Sequence, residues 1–183
     1  MLLLCGKTCA GKNLIQNELI KLGMKSVVTY TTKPKREKEV DGVEYHFINK
    51  EEFLEKEEQG FFAESTSYKV ATGDVWYYGS AIDDLTEDKV IIVNPEGLKK
   101  LKEMTNLNPV SFYILVDEEV IWNRLRKRGD NASEARRRLE EDDKDFKGID
   151  VYIDYAFRND LIKPELLAEM ILYTYKNTKG GRY

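Results

Sequence analysis

Eight residues near the N-terminus have the types and spacing of a phosphate-binding loop: Gly6-Lys7-Thr8-Cys9-Ala10-Gly11-Lys12-Asn13. They follow the apolar run Met1 to Cys5 and precede a helix-forming stretch that starts at Asn13-Leu14. Glycines at both ends let backbone N–H groups converge on phosphate oxygens, and a helix N-terminus behind them favours negative charge. Lys12 adds a movable cation that can reach the β- and γ-phosphates of a nucleotide. Gly6, Thr8, Cys9, Ala10, Gly11, Lys12, Asn13 and Leu14 are therefore the candidate donor-phosphate residues. The pattern departs from G-x-x-x-x-G-K-[ST] at its last position. Asn13 stands where a hydroxyl normally meets magnesium, so its amide oxygen is a weak candidate metal ligand.

Three further groups could do chemistry. The stretch from Thr29 to Phe47 carries Lys33, Arg36, Glu39 and Tyr45. A phosphate dianion needs such a fork of cations with a hydroxyl donor, although by composition alone the stretch is a solvated basic loop. Glu64 precedes Tyr77-Tyr78-Gly79-Ser80 and by itself reads as an ordinary surface glutamate. Arg124 and Arg128 lie four apart on one helix face, with Arg138 on the next helix. They suit either charge stabilisation on a transferring phosphoryl group or ordinary surface pairing. Lys7, Arg126, Arg136, Arg137 and the run Glu140-Glu141-Asp142-Asp143 read as solvated, the acidic run as a wet helix face. His46 reads as an exposed strand residue, and Trp76 and Trp122 as packing residues.

The elements that must position these groups alternate. Leu2 to Cys5 suits a buried parallel strand. A helix over 13–22 shows Ile15, Leu19 and Leu22 on one face and Gly23 at its end. Ser26 to Tyr30 predicts a second strand. Asp41-Gly42 marks a turn, after which Val43, Tyr45 and Phe47 alternate as in a half-buried strand. Asn49 caps a short helix with Glu52 three residues on. Phe61–Ser65, Tyr68–Thr72 and Val75–Tyr78 predict short strands, with a turn at Gly73-Asp74. Strands over 89–93 and 110–116 alternate with helices from Pro95, over 118–128 and over 133–146. A last strand at Ala156-Phe157 leads to a helix over 165–175 that buries Leu166, Met170 and Tyr173, followed by a frayed tail over 177–183.

Taken in order, these residues resemble the guanylate kinase family. The segment Thr29 to Phe47 is similar to its acceptor loop, S-x-T-T-R-x-x-R-x-x-E-x-x-G-x-x-Y-x-F, with Thr29 for serine and Lys33 for arginine. Tyr77-Tyr78-Gly79-Ser80 resembles Y-Y-G-[ST], and Arg124 to Gly129 resembles the lid segment R-x-x-x-R-G. Asn159-Asp160 resembles an N-D pair near the adenine end. The resemblance implies an α/β fold: a P-loop NTPase-type parallel sheet flanked by helices, with an inserted β-rich NMP-binding module and a helical lid. It implies a core over 1–28, 83–117 and 152–183, the module over 29–82 and the lid over 118–151. It implies transfer of the γ-phosphoryl of ATP to GMP or dGMP, with Mg2+ as cofactor. Lys12, Arg124, Arg128 and Arg138 would be catalytic, Asn159 would join the ATP site, and Thr29, Lys33, Arg36, Glu39, Tyr45, Glu64, Tyr78, Ser80 and Asn94 would hold the acceptor. The chain departs from the family at Asn13, at Ile92 and Asn94 (where D-x-D is usual), and in a longer segment between Glu64 and Tyr78. Two other readings stand beside it: a kinase for another deoxy or modified monophosphate, and a silent module that binds a protein partner.

Composition bounds the rest. At 183 residues the chain suits one α/β unit with small insertions, and 42% hydrophobic with 34% charged residues describes a globular protein. The net charge of −4 supplies no global field for nucleic acid, and no apolar run is long enough to span a membrane. Cys5 and Cys9 are not spaced as zinc ligands, and the absence of a basic n-region predicts a cytoplasmic protein, monomer or homodimer.

Overall fold

The computed structural model describes residues 1–70, 73–104 and 106–180. In chain order its elements begin β1 (Leu2–Cys5), α1 (Lys12–Lys21), β2 (Lys25–Ser26), β3 (Tyr30–Thr31), β4 (His46–Phe47) and α2 (Lys50–Glu58). The hairpin β5 (Phe62–Lys69) and β6 (Val75–Ala81) follows, then β7 (Lys89–Ile92), α3 (Pro95–Glu103) and β8 (Val110–Leu115). The chain closes through α4 (Glu118–Arg128), α5 (Ala132–Asp145), β9 (Tyr155–Arg158) and α6 (Pro164–Gly180).

Two sheets divide the strands. The first has the order β2-β7-β1-β8-β9, and every pairing in it is parallel. Because parallel neighbours need crossovers, helices cover both faces and the central strand reads as a continuous apolar run. Leu2 and Leu4 of β1 pack with Ile15, Leu19, Leu167, Ala168 and Ile171 of α1 and α6. Leu3 and Cys5 face the other side, with Val27, Leu98, Leu101 and Ile149. These side chains are fully or almost fully buried. Each contributes on the order of 1.5–3 kcal/mol relative to exposure, which anchors the loop that leaves the C-terminal end of β1. The second sheet, β4-β3-β6-β5, packs the aromatic rings of Phe53 and Phe62 beneath it, stacked with centroids 4.5 Å apart.

Several local expectations hold. Asn49 caps α2 by accepting the Glu52 N–H at 2.8 Å, and Pro95 opens α3 behind the cap Asn94. The Gly73-Asp74 turn closes the β5–β6 hairpin, with Val70 N–H donating to Asp74 O at 2.9 Å; Thr72 lies outside the described residues.

Others are corrected. The strand expected over 26–30 is two short pieces in different sheets, because Val27 still pairs with Val90 of β7 whereas Tyr30 pairs with His46 and Gly79. The expected alternation of Val43, Tyr45 and Phe47 survives only at His46–Phe47; Val43 lies exposed on the turn around Gly42. Phe62 to Lys69 is one strand, not two. Leu22 is exposed, since the chain reverses at Gly23 and Met24 takes the buried place. On α6 the buried face is Leu167, Ala168, Ile171 and Tyr175; Leu166, Met170 and Tyr173 face outward, and the helix continues through 180 in place of the fraying expected from 177, while 181–183 lie outside the described residues. His46 is half-buried and lies against the Tyr30 ring at 4.5 Å. No helix among the described residues is long and apolar enough to cross a membrane.

Candidate active site

The loop between β1 and α1 is built by spending its carbonyls. Lys12 Nζ donates to Gly6 O at 2.5 Å and Lys7 O at 3.0 Å. Arg124 Nη1 donates to Cys9 O at 3.0 Å, and Asn159 Nδ2 donates to Ala10 O at 2.7 Å. Two of these carbonyls are held by the loop's own lysine and two from outside the loop, by Arg124 and Asn159, which fixes the loop's shape. Both glycines are steric necessities. A Cβ on Gly6 would meet Ile114 O at 2.7 Å, and one on Gly11 would meet Asn159 Nδ2 at 2.3 Å. Cys9 adopts a left-handed φ of 59°, a conformation that costs a non-glycine residue about 1–2 kcal/mol. Burial lowers the Lys12 pKa below the ordinary lysine range, and the Asp142 carboxylate pushes it back up. Cys5 is buried and its thiol is pushed up to about 12 by that burial; both cysteines are free.

In the acidic run of α5, Glu140, Glu141 and Asp143 are exposed as expected, and Asp142 turns inward. Asp142 Oδ2 accepts the backbone N–H of Thr8 at 2.6 Å, and Asp143 forms an ion pair with Lys7. A carboxylate thus occupies an N–H group of the cradle, and Lys7 is paired rather than free. The signal was present in the sequence: Ala135, Leu139, Asp142 and Phe146 fall at i, i+4, i+7 and i+11, so Asp142 continues an apolar stripe. Ala135 and Leu139 pack with Ile121 and Leu125 of α4, so that Arg124 and Arg128 of α4 and Arg138 of α5 belong to one helical pair.

Of those arginines, only Arg124 reaches the loop, where Nη2 also holds Asn159 O at 2.7 Å. Arg128 pairs with Asp130, and Arg138 with Glu134 at 2.9 Å. Arg126 bonds Asn123, Arg137 bridges Glu134 and Glu141, and Arg136 lies over the Trp122 ring. Asn159 is 4% exposed and braces the loop. Asn13 is exposed on the first turn of α1.

The second sheet carries the acceptor-loop residues. Lys33 is 6% exposed, and its ammonium bonds both Glu39 oxygens at 2.7 and 2.5 Å. It also sits 5.3 Å from the centroids of Tyr45 and Phe47. Glu39 accepts the Arg36 backbone N–H at 2.8 Å as well, and these bonds hold its carboxyl below the usual range. Lys33 therefore shapes the loop. Arg36 projects exposed, with no ion pair among the described residues. Tyr45 meets Tyr78 edge-on at 6.0 Å, and Thr29 lends its carbonyl to His46. Across the hairpin Ser80 Oγ donates to Glu64 Oε1 at 2.6 Å. Gly97 of α3 comes so near that a Cβ there would lie 3.1 Å from Glu64 Oε2. Burial raises the Glu64 pKa, against the Ser80 hydrogen bond and Lys100, which lower it.

The chain's sequence and its fold are shared with known proteins. The guanylate kinase family model matches residues 1–167. A guanylate kinase of Clostridioides difficile is 32% identical, aligned over 100% of this chain and 91% of its own length. One from Syntrophus aciditrophicus is 29% identical over 85% of this chain and 75% of its own. The chain belongs to the guanylate kinase family. The crystal structure of guanylate kinase from Anaplasma phagocytophilum superposes with a TM-score of 0.71 at 22% identity, covering 97% of this chain and 85% of that one, so the fold is shared too. Within this guanylate kinase frame, sequence reasoning missed Asp142, Asp143 and Gly97 as residues at the site.

Two outcomes follow. Asp142→Asn keeps the shape but removes the charge that competes with a phosphate at Thr8, so ATP should bind about fivefold tighter by calorimetry, the worth of about 1 kcal/mol; unchanged or weaker binding contradicts the contact. Glu64 has a folded pKa above its ordinary 4.5, so its favourable contribution is complete below that value and is lost as pH rises through the raised pKa. Denaturation midpoints of the wild type should fall relative to Glu64→Gln across that window, and parallel curves would refute it.

Proposed function

We propose that this chain moves the γ-phosphoryl group of ATP onto GMP or dGMP, releasing ADP and GDP or dGDP. The observation that carries the reading is the loop from Gly6 to Lys12, whose carbonyls are held by Lys12, Arg124 and Asn159 and whose Thr8 N–H already binds a carboxylate. An acceptor phosphate oxygen attacks the γ-phosphorus, and the bond to the bridging β–γ oxygen breaks in line, leaving ADP. No covalent intermediate on the protein is needed; positioning and electrostatics supply the rate. Lys12 and Arg124 stand at the donor site, and Arg128 and Arg138 act when lid closure releases them from Asp130 and Glu134. Thr8, Cys9, Ala10, Gly11, Asn13, Leu14 and Asn159 frame the donor. Arg36, Tyr45 and Tyr78 grip the acceptor phosphate, Lys33 and Glu39 hold their loop in shape, and Glu64 with Thr29, Ser80 and Asn94 reads the base.

In this reading residues 1–28, 83–117 and 152–183 are the core, 29–82 the acceptor module and 118–151 the lid. Among the described residues no three His, Cys, Asp or Glu side chains gather as a metal site, and Ile92 offers no oxygen. That donor set fits magnesium carried by ATP's own phosphates and water, with the Asn13 amide as the protein oxygen at hand. When bound, the ion neutralises phosphate charge.

ADP release with ATP·Mg and a panel of nucleoside monophosphates tests the reading. GMP and dGMP should be turned over, Lys12→Ala should lower the rate by roughly 10²–10³-fold or more, and Glu64→Gln should narrow the preference for guanine. A folded protein that turns over none of the acceptors contradicts it.

A further inference from the structure

Strand β5 runs past Glu64 for five more residues, and its alternation puts Glu64, Thr66 and Tyr68 on one face. Their partners across the hairpin are Ser80, Tyr78 and Trp76. The longer segment thus extends the face that carries the base-reading carboxylate. Tyr68 is 48% exposed there, its ring edge-on to Tyr78 at 5.8 Å.

Asn94 fixes the polarity of that extension. It caps α3, and only its Oδ1 can accept the Gly97 N–H, at 2.8 Å. Its Nδ2 must then face β5, where it donates to Tyr68 OH at 3.1 Å and Thr66 Oγ1 at 3.4 Å. Each hydroxyl accepts from an N–H, and among the described residues neither hydroxyl donates its proton to a protein group. Beside the acceptor-only Glu64 the face therefore offers two O–H donors. Guanine presents the complement: N–H groups at N1 and N2, then acceptors at O6 and N7. Adenine presents a donor at position 6.

We propose that Thr66 and Tyr68 are specificity-determining residues of the acceptor site, their hydroxyls donating to O6 and N7 of a 6-oxopurine monophosphate, with Asn94 as the positioning residue that holds them as donors. The inference rests on the guanylate kinase reading above and adds a second point of discrimination to Glu64. It also joins two departures from the family pattern, Asn94 and the lengthened hairpin, into one device. With a carboxylate at position 94 both hydroxyls would turn their protons inward and present lone pairs to the base.

The test compares the wild type with Tyr68→Phe, Thr66→Val and Asn94→Asp, each checked for an unchanged melting temperature. The substrates are GMP, its 6-thio analogue (a weak acceptor at position 6) and its 7-deaza analogue (no acceptor at position 7). Tyr68→Phe should raise the KM for GMP about tenfold with the KM for ATP unmoved. Between them Tyr68→Phe and Thr66→Val should abolish the wild-type preference for GMP over the two analogues, each variant losing one preference. Asn94→Asp, which keeps the cap oxygen, should lose both. If the wild type phosphorylates GMP but the variants keep its KM and both preferences, this inference is overturned and the parent reading stands. If the wild type phosphorylates no guanine monophosphate, the parent reading falls and takes the inference with it.

Discussion

A half-buried ammonium behind the loop that leaves a buried strand sets the terms for the rest of this molecule. Lys12 is partly withdrawn from water and bonded to two carbonyls of its own loop, whose Thr8 N–H meets a carboxylate. Such a concentration of positive potential needs an anion. In the free chain the lid supplies one, the Asp142 carboxylate on Thr8, with Asp143 on Lys7 alongside. Donor binding is then an exchange of one anion for another. The same contact ties α5 to the loop.

The acceptor side follows a similar economy of charge. Lys33 and Glu39 neutralise each other inside an aromatic setting, which leaves Arg36 as the loop's outward cation. Glu64 is held partly desolvated between Ser80 and the start of α3, a state that burial disfavours and that a base with paired N–H groups relieves.

Much of this was legible in the residues. The cradle, the cap at Asn49, the helix start at Pro95 and the helix over 118–128 follow from local chemistry: φ-tolerant glycines, a side-chain oxygen before a helix, a proline in a first turn, charge on one face. The family resemblance located Glu64 and Ser80, and the fold then put them in contact. What periodicity could not decide was which of two apolar stripes a helix buries. On α6, Leu166–Met170–Tyr173 and Leu167–Ile171–Tyr175 compete, and packing against α1 chose the second. Charge misled at Asp142, where a run of acids hid one member on an inner face. Tertiary pairing overrode propensity at 26–30, since nothing in Val27-Val28 announces a change of sheet.

The central claim, that the Thr8 N–H holds a lid carboxylate in the free chain and a donor phosphate in the loaded one, is most directly tested by following the Thr8 backbone amide by nuclear magnetic resonance during an ATP titration. The account predicts that this resonance moves and saturates together with those of the loop, and that in Asp142→Asn its free-state position is already displaced from wild type. A Thr8 amide that stays in place under saturating ATP, while other residues respond, would contradict it.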